Sequence, residues 1–332
     1  MKLSDYIAEF LSKITDSVFV GQGGNIIHVL DSLGKRKDIK VVPSQNEQGA
    51  SIAADAYSRL TKKIGVTAAT SGPGMLNLMQ GMACSFFDSI PTIHFSGAVV
   101  TGQLRKNKKI RQIGFQEMEV VDLVKPITKY AVLLKNKDKI RYELEKMLYF
   151  AREGRPGPVL MDLPDDLQRA EIDPKKLKGF TPPKYKSKKI NFEKKLIGLI
   201  KNSKRPLIIL GHGINLSNTK KEVIKFIERT GIPFAPSWAT IDLLPYKNKL
   251  NAGTFGVAAT RYGNFAVQNC DLLISLGCRL NTQITGSNIK SFAPKAKKII
   301  VDIDKNEFTK NNGLKIDLKI NFDLKEFFKK SL

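Results

Sequence analysis

The sequence predicts an α/β protein made of two doubly wound parallel-sheet domains. Three observations carry that reading. Short apolar runs rich in β-branched residues alternate with longer stretches of helical periodicity, the pattern of parallel strands with helices on both faces. Several runs end in a turn of glycine and other small residues that opens the next helix. The length, 332 residues with 42% hydrophobic and 26% charged, fits two domains with cores of ordinary size and excludes global disorder.

Taken in order, strands are expected at 17–21, 64–70, 91–97 and 158–164, then at 206–211, 232–237, 271–277 and 298–304. Helical periodicity falls between them, at 47–60, 75–87, 139–152, 220–230 and 261–269. Pro174, Pro182 and Pro183 lie in the densest run of lysines. Residues 173–187 are therefore expected to form an exposed basic linker between a first domain over 1–172 and a second over 188–332. No repeat at a solenoid period is visible.

Charge is the unusual feature: 55 Lys and Arg against 31 Asp and Glu, a net +24. A nucleic-acid surface would use such a balance. Yet only 12 of the cations are arginine, the type that base edges and phosphates favour, and the lysines are spread along the chain. A lysine-biased soluble protein with no nucleic-acid partner is the expectation. No run of 18 apolar residues occurs, so no membrane helix is expected. Residues 1–10 include Asp5 and Glu9 and no apolar signal core, which argues against secretion. Cys84, Cys270 and Cys278 are too few and scattered for a disulfide framework, and a cytoplasmic setting follows. His28, His94 and His212 lack metal-ligand spacing and no C-x-x-C or G-x-S-x-G is present, so neither a zinc site nor a hydrolase elbow is expected.

Ligands of an open parallel sheet bind beyond the carboxyl ends of its strands. Three turns are placed to meet one: Gly21-Gln22-Gly23-Gly24, Ser71-Gly72-Pro73-Gly74 and Gly211-His212-Gly213. Each brings bare backbone N–H groups and a helix start toward an anion or a flat heterocycle, or serves only a tight strand-to-helix connection. None completes a dinucleotide or P-loop fingerprint. Glu47 is the most informative residue. It follows Val41-Val42-Pro43-Ser44 and opens a helix lined by Gly49, Ala50, Ala53 and Ala54. It is either an acid favoured at a helix start or a desolvated carboxyl able to share a proton with a ring nitrogen.

Several motifs then converge. Asn46-Glu47-Gln48-Gly49-Ala50 with Asp55-Ala56-Tyr57-Ser58-Arg59, then Thr70-Ser71-Gly72-Pro73-Gly74 with Asn77, Asp88-Ser89-Ile90-Pro91, Phe115-Gln116-Glu117, Thr128-Lys129 and Gly154-Arg155-Pro156-Gly157-Pro158 follow one another. Gly211-His212-Gly213, the run from Asp271 to Arg279, Thr285-Gly286 and Val301-Asp302-Ile303-Asp304 continue the series. Over essentially the whole chain this resembles thiamin-diphosphate-dependent enzymes of the acetolactate synthase and pyruvate oxidase group.

The resemblance implies a pyrimidine-binding domain followed by a central domain. It implies decarboxylation of pyruvate or another 2-keto acid, then carboligation. Glu47 would hydrogen-bond N1′ of the aminopyrimidine and promote its imino tautomer. Gly24, Ser71, Gly72, Pro73, Gly74 and Asn77 would line the pyrimidine pocket. Phe115 and Gln116 would lie by the reactive carbon and substrate, with Gln116 taking part in catalysis, and Lys129 near the active-site entrance. The family holds its diphosphate through Mg²⁺ on a Gly-Asp-Gly motif in a third domain, and no such motif occurs here. The chain is thus expected to hold only the pyrimidine half of thiamin diphosphate, to bind no metal itself and to be inactive alone. A homo-oligomer, dimer or tetramer, or a separate chain carrying the diphosphate domain is implied. FAD stays open: Gly211, Gly213, Arg279 and Asp302 match the flavin-bearing part of the synthases, but Gln283 stands where they carry a second arginine. A relative that joins a two-carbon unit to a sugar, and a non-catalytic binding remnant, are the alternatives.

Overall fold

A computed structural model describes residues 1–107, 109–184, 191–309 and 313–332 and divides the chain into two units, 1–185 and 186–332. In the first, β1 (Ser17–Val20), β2 (Lys40–Pro43), β3 (Gly65–Ala69), β4 (Thr92–Ala98), β5 (Tyr130–Leu133) and β6 (Val159–Pro164) form one sheet in the order β2-β1-β3-β4-β6-β5. In the second, β7 (Pro206–Leu210), β8 (Phe234–Pro236), β9 (Leu272–Leu276), β10 (Lys297–Val301) and β11 (Leu318–Ile320) are ordered β11-β10-β9-β7-β8. Every strand pair is parallel. The two doubly wound domains expected from the pattern are present, with all eight expected strands. Three further strands, β2, β5 and β11, are each at a sheet edge.

Alternation along the strands gives each sheet two covered faces. Val18, Val66, Ile93, Phe95 and Met161 pack with the helices Leu3–Ser12 and Ile140–Arg152. Ala69 and Leu160 face the other way, against Met75, Leu78 and Met82 of the helix Pro73–Asp88. In the second unit Ile208, Ile274 and Ile299 pack with Phe226, Phe327 and Phe328, while Leu207, Leu273 and Ile300 pack with Val267 and Phe292. Among the described residues no helix is long and apolar enough to cross a membrane.

The helix Glu47–Thr61 lies close on its sheet because β3 begins with glycine. A methyl group on Gly65 would fall inside the backbone carbonyl of Ala54, and one on Gly81 would strike Ser51. Gly65→Ala is expected to push this helix outward and destabilise the unit by about 2 kcal/mol, read as a lower urea midpoint at unchanged slope. An unchanged midpoint would show that the helix is not seated this closely.

Polar groups are buried between the helices Glu47–Thr61 and Pro73–Asp88 and the sheet, and each is satisfied locally. His94 is fully buried between the hydroxyls of Thr67 and Thr92, each 2.8 Å from a ring nitrogen, and burial pushes its pKa down to about 3. It is a neutral core histidine. Asp162, 3% exposed on β6, accepts a 2.6 Å hydrogen bond from Ser96 on β4. Asp55 accepts from Arg59 and Ser85, and Arg59 also reaches Asp88, tying the two helices together at their far ends.

The unit is closed by its own first residues. The Leu3 amide donates to the Ala170 carbonyl at 2.9 Å, the Ile172 amide donates to the Met1 carbonyl at 3.0 Å, and Lys2 bridges Glu171 in antiparallel fashion. Within residues 173–180 of the expected linker, Asp173, Lys175, Lys176, Lys178 and Gly179 are exposed, while Leu177 and Phe180 pack onto the first unit. Leu177 is 6% exposed, the Phe180 ring meets Tyr142 edge to face and Tyr149 at a tilt, and its amide donates to Glu145 at 2.6 Å. Two apolar side chains among the lysines account for the docking. Residues 185–187 of the expected linker lie outside the described residues.

Candidate functional site

A parallel sheet delivers the carboxyl ends of all its strands to one edge, and the crevice opens where the winding reverses. From β1 the chain moves outward to β2, then returns to β3 and proceeds to β4, so the switch point lies between β1 and β3. The turn after β1 and the turn after β3 flank it, and Glu47, leaving β2, stands beside both.

Asn46 caps the helix by accepting from the Gln48 amide at 2.7 Å, which fixes where Glu47 enters its first turn. The Glu47 carboxylate is half-buried, and Asn77 donates to its Oε2 at 2.9 Å. Its other oxygen is walled by glycine. A methyl on Gly21 would lie within 2.8 Å of Oε1, and one on Gly74 within 3.4 Å. Thr70 fills the space that side chains at Gly23 and Gly74 would need. Gly72 caps the helix Pro73–Asp88 at φ +61, with exposed Pro73 in its first turn, where a missing N–H costs nothing. Gly24 begins the short turn Gly24–Ile26 and its side-chain position opens on free space.

The two turns are joined by Asn25, whose Nδ2 donates to the buried Ser71 hydroxyl at 2.6 Å. Gln168 donates to the Asn25 carbonyl at 2.6 Å, and that carbonyl sits where a side chain at Gly97 would stand. After β4 the chain returns to the same edge. Gln116 adopts φ +63, and its Cβ and carbonyl oxygen lie 3.0 Å from the side-chain position of Gly72. Phe115 beside it is 78% exposed.

The first unit thus brings Gly24, Glu47, Ser71, Gly72, Pro73, Gly74, Asn77, Phe115 and Gln116 to one strand edge. Asn77 contacts the glutamate itself. Lys129 is different: it precedes β5 and stands at the opposite, amino end of the strands, where its Nζ donates to the Glu153 carbonyl and burial pushes its pKa down to about 8. The resemblance implies a place near the active-site entrance, but as the residue before β5 it lies at the other end of the sheet from the glycine turns. Asn25 and Gln168 went unnoticed in the sequence, and Thr70 reads there only as the first residue of the Thr70-Ser71-Gly72-Pro73-Gly74 motif. Asn25 directly follows the Gly23-Gly24 pair, whereas Gln168 carries no local signal.

The second unit has its own switch point, between β7 and β9. Gly211 and Gly213 lie there, but the sheet already uses them. The Gly211 amide donates to the Leu276 carbonyl and the Gly213 amide to the Gly277 carbonyl, both at 3.0 Å, and a methyl on Gly211 would strike Gly277 and Cys278. These amides are therefore spent, and a flavin phosphate would need other donors. Arg279 lines a small hollow with Cys278, Leu280, Glu307 and Phe308. Asp302, following β10, accepts from the Asp304 amide at 2.9 Å, a local turn. The three cysteines are free, Cys270 and Cys278 buried. Among the described residues no group of three or more His, Cys, Asp or Glu could hold a metal ion.

Two family descriptions match. "Thiamine pyrophosphate enzyme, N-terminal TPP binding domain" covers residues 1–123, and "Thiamine pyrophosphate enzyme, central domain" covers residues 194–330. The chain belongs to the thiamine pyrophosphate enzyme family. Within it, the chain is similar to acetolactate synthases. It is 34% identical over 317 residues to acetolactate synthase 2, chloroplastic, of Nicotiana tabacum, covering 93% of this chain and 46% of the relative. It is 36% identical over 314 residues to the probable acetolactate synthase large subunit of Methanocaldococcus jannaschii, covering 93% and 51%. The acetolactate synthase large subunit of Corynebacterium glutamicum is 34% identical over 309 residues, covering 91% and 48%. The chain spans about half the length of these curated relatives.

Proposed function

We propose that this chain forms the aminopyrimidine-binding part of an acetolactate-synthase-like enzyme that decarboxylates a 2-keto acid and transfers the remaining carbon unit to an acceptor. The observation that carries the reading is the Glu47 carboxylate at the switch point, with one oxygen held by Asn77 and the other framed by Gly21 and Gly74. The residues fit the cofactor's pyrimidine half. A flat heterocycle needs backbone with no side chain in its way: Gly24 opens on free space, while the missing side chains at Gly21, Gly23, Gly72 and Gly74 let Glu47, Thr70 and Gln116 close in beside it.

When bound, thiamin diphosphate supplies the carbon nucleophile and the electron sink of the reaction. The chain's own residues bind and orient. Glu47 holds or passes a proton at a ring nitrogen, and Asn77 fixes its carboxylate for that task. Asn25 keeps the Ser71 turn in register with the turn after β1. Gln116 and Phe115 stand at the substrate side of the cleft. In this reading the diphosphate and its Mg²⁺ are held by a domain from another segment or chain, which completes the site in a dimer or larger assembly. We assign no step to FAD, because the turn amides it would use are already bonded.

Mixing the chain with the diphosphate-holding domain of a relative, thiamin diphosphate, Mg²⁺ and pyruvate is expected to release carbon dioxide. Release that does not depend on this chain, or none with any 2-keto acid, overturns the reading.

A further inference from the structure

The loop that carries Phe115 and Gln116 leaves β4 and, among its described residues, has no strand or long helix of its own, yet its ends and its middle are tied. Glu117 ties the ends. Its carboxylate accepts from the Arg105 amide at 2.6 Å through Oε1 and from the Ile113 amide at 2.7 Å through Oε2. Arg105 ties the middle. Its guanidinium donates to the carbonyls of Ile110 and Arg111, each at 2.7 Å, and lies 3.4 Å from Glu119. The Arg105 side chain is only 13% exposed, so this cation is committed to the loop's interior. Gly114 presses against Val99, which leaves no room for a side chain there.

Gln116 is caught between these ties. It adopts φ +63, a region an L-residue occupies only when its surroundings hold it there. The Glu117 amide donates back to the Gly114 carbonyl at 3.1 Å and closes a tight turn around Phe115 and Gln116. The ties do not touch the cleft, but the residue they constrain abuts Gly72.

We infer that Glu117 and Arg105 are positioning residues that clasp the 105–117 loop and hold Gln116 in its left-handed conformation over the Gly72 turn. This rests on the functional reading above only in what Gln116 is positioned for. The clasp itself is a property of the chain and can be tested without cofactor. The groups facing Glu117 agree with a charged clasp. Burial raises its pKa, but the amides of Arg105, Ile113 and Gly114 and the Arg105 charge outweigh burial and leave the carboxyl below the ordinary glutamate value. Glu119, an acid two residues on, is itself paired with Arg105.

The test is amide hydrogen exchange on the full chain, wild type against Glu117→Gln, from about pH 2.5 to pH 8, corrected for intrinsic exchange, because a carboxyl held below the ordinary glutamate value takes up its proton only at the acid end. The two loop amides go to different oxygens of Glu117, and glutamine offers only one acceptor oxygen, its NH2 group being a donor. In Glu117→Gln, protection at Arg105 and Ile113 is expected to fall by about tenfold at neutral pH and to lose its pH dependence. In the wild type it is expected to fall as Glu117 protonates, while β3 and β4 stay protected in both proteins. Unchanged protection at the two loop amides overturns the clasp, as does an equal loss throughout β3 and β4, which would mark a general stabilising role. In the carbon dioxide assay, Glu117→Gln is then expected to turn over about tenfold more slowly. A wild type without turnover but with a pH-dependent clasp would sink the functional reading and leave the clasp standing.

Discussion

Glu47→Gln is expected to lower carbon dioxide release in the reconstituted assay by about 10²- to 10⁴-fold, the range for losing a positioned proton-transfer group. The substitution is nearly isosteric, so the helix start, its Asn46 cap and the glycine walls at Gly21 and Gly74 stay as they are. What changes is the ability to hold and release a proton at a heterocyclic nitrogen. Unfolding in urea, measured in parallel, is expected to be unaffected because Glu47 is half-buried and makes one side-chain hydrogen bond, to Asn77. A variant that turns over like the wild type would remove Glu47 from the chemistry, however well the fold is preserved.

Asp162→Asn is expected to change how stability depends on pH. Burial pushes the Asp162 carboxyl up to about 7, against the opposing hydrogen bond from Ser96 and with added repulsion from Glu119. In the unfolded chain the same group has an ordinary carboxyl pKa. Between these two values the folded state binds the proton and the unfolded state does not, so this group's contribution to stability is full below the unfolded value and lost as pH rises toward 7. Asparagine resembles the protonated form and cannot ionise. The stability difference between variant and wild type is thus expected to grow in the variant's favour from pH 4 to pH 8, by on the order of 4 kcal/mol. Urea midpoints at the two pH values measure it. A constant difference would mean that Asp162 titrates alike in the folded and the unfolded protein.

The fold was legible wherever a strand is buried on both faces. β3, β4, β6 and β9 are fully buried and rich in apolar residues, as central parallel strands are, although Thr67, His94, Ser96 and Asp162 place buried polar groups among them. β2, β5 and β11 did not announce themselves. Each has three or four residues at a sheet edge, partly exposed, and Lys40 and Lys319 interrupt the apolar signal. For the site, residues that act through their own backbone were legible. Glycine at a strand-to-helix turn and an acid at a helix start announce themselves locally. Residues that act through distant partners were not. Asn25 meets Ser71 across 46 residues and Gln168 meets Asn25 across 143, and only the closed sheet brings them together. Gly211 and Gly213 show the converse. Their spacing is that of a phosphate-binding turn, but their amides serve the neighbouring strand.

The hydrogen bonds between residues 1–3 and residues 170–172 bear on how the chain is made. The first helix leaves the ribosome early, but the backbone it docks against is among the last of the unit to be synthesised. β1, near the start, also lies between β2 and β3 and cannot be enclosed until both exist. Such long-range closure is slow, because loop entropy is spent before the contacts form. During synthesis the first unit is expected to stay open, with Leu3, Ile7 and Leu11 uncovered, until roughly its last strand has emerged. A nascent chain arrested before residue 170 should be cut by protease near its first helix, and one arrested well past it should resist.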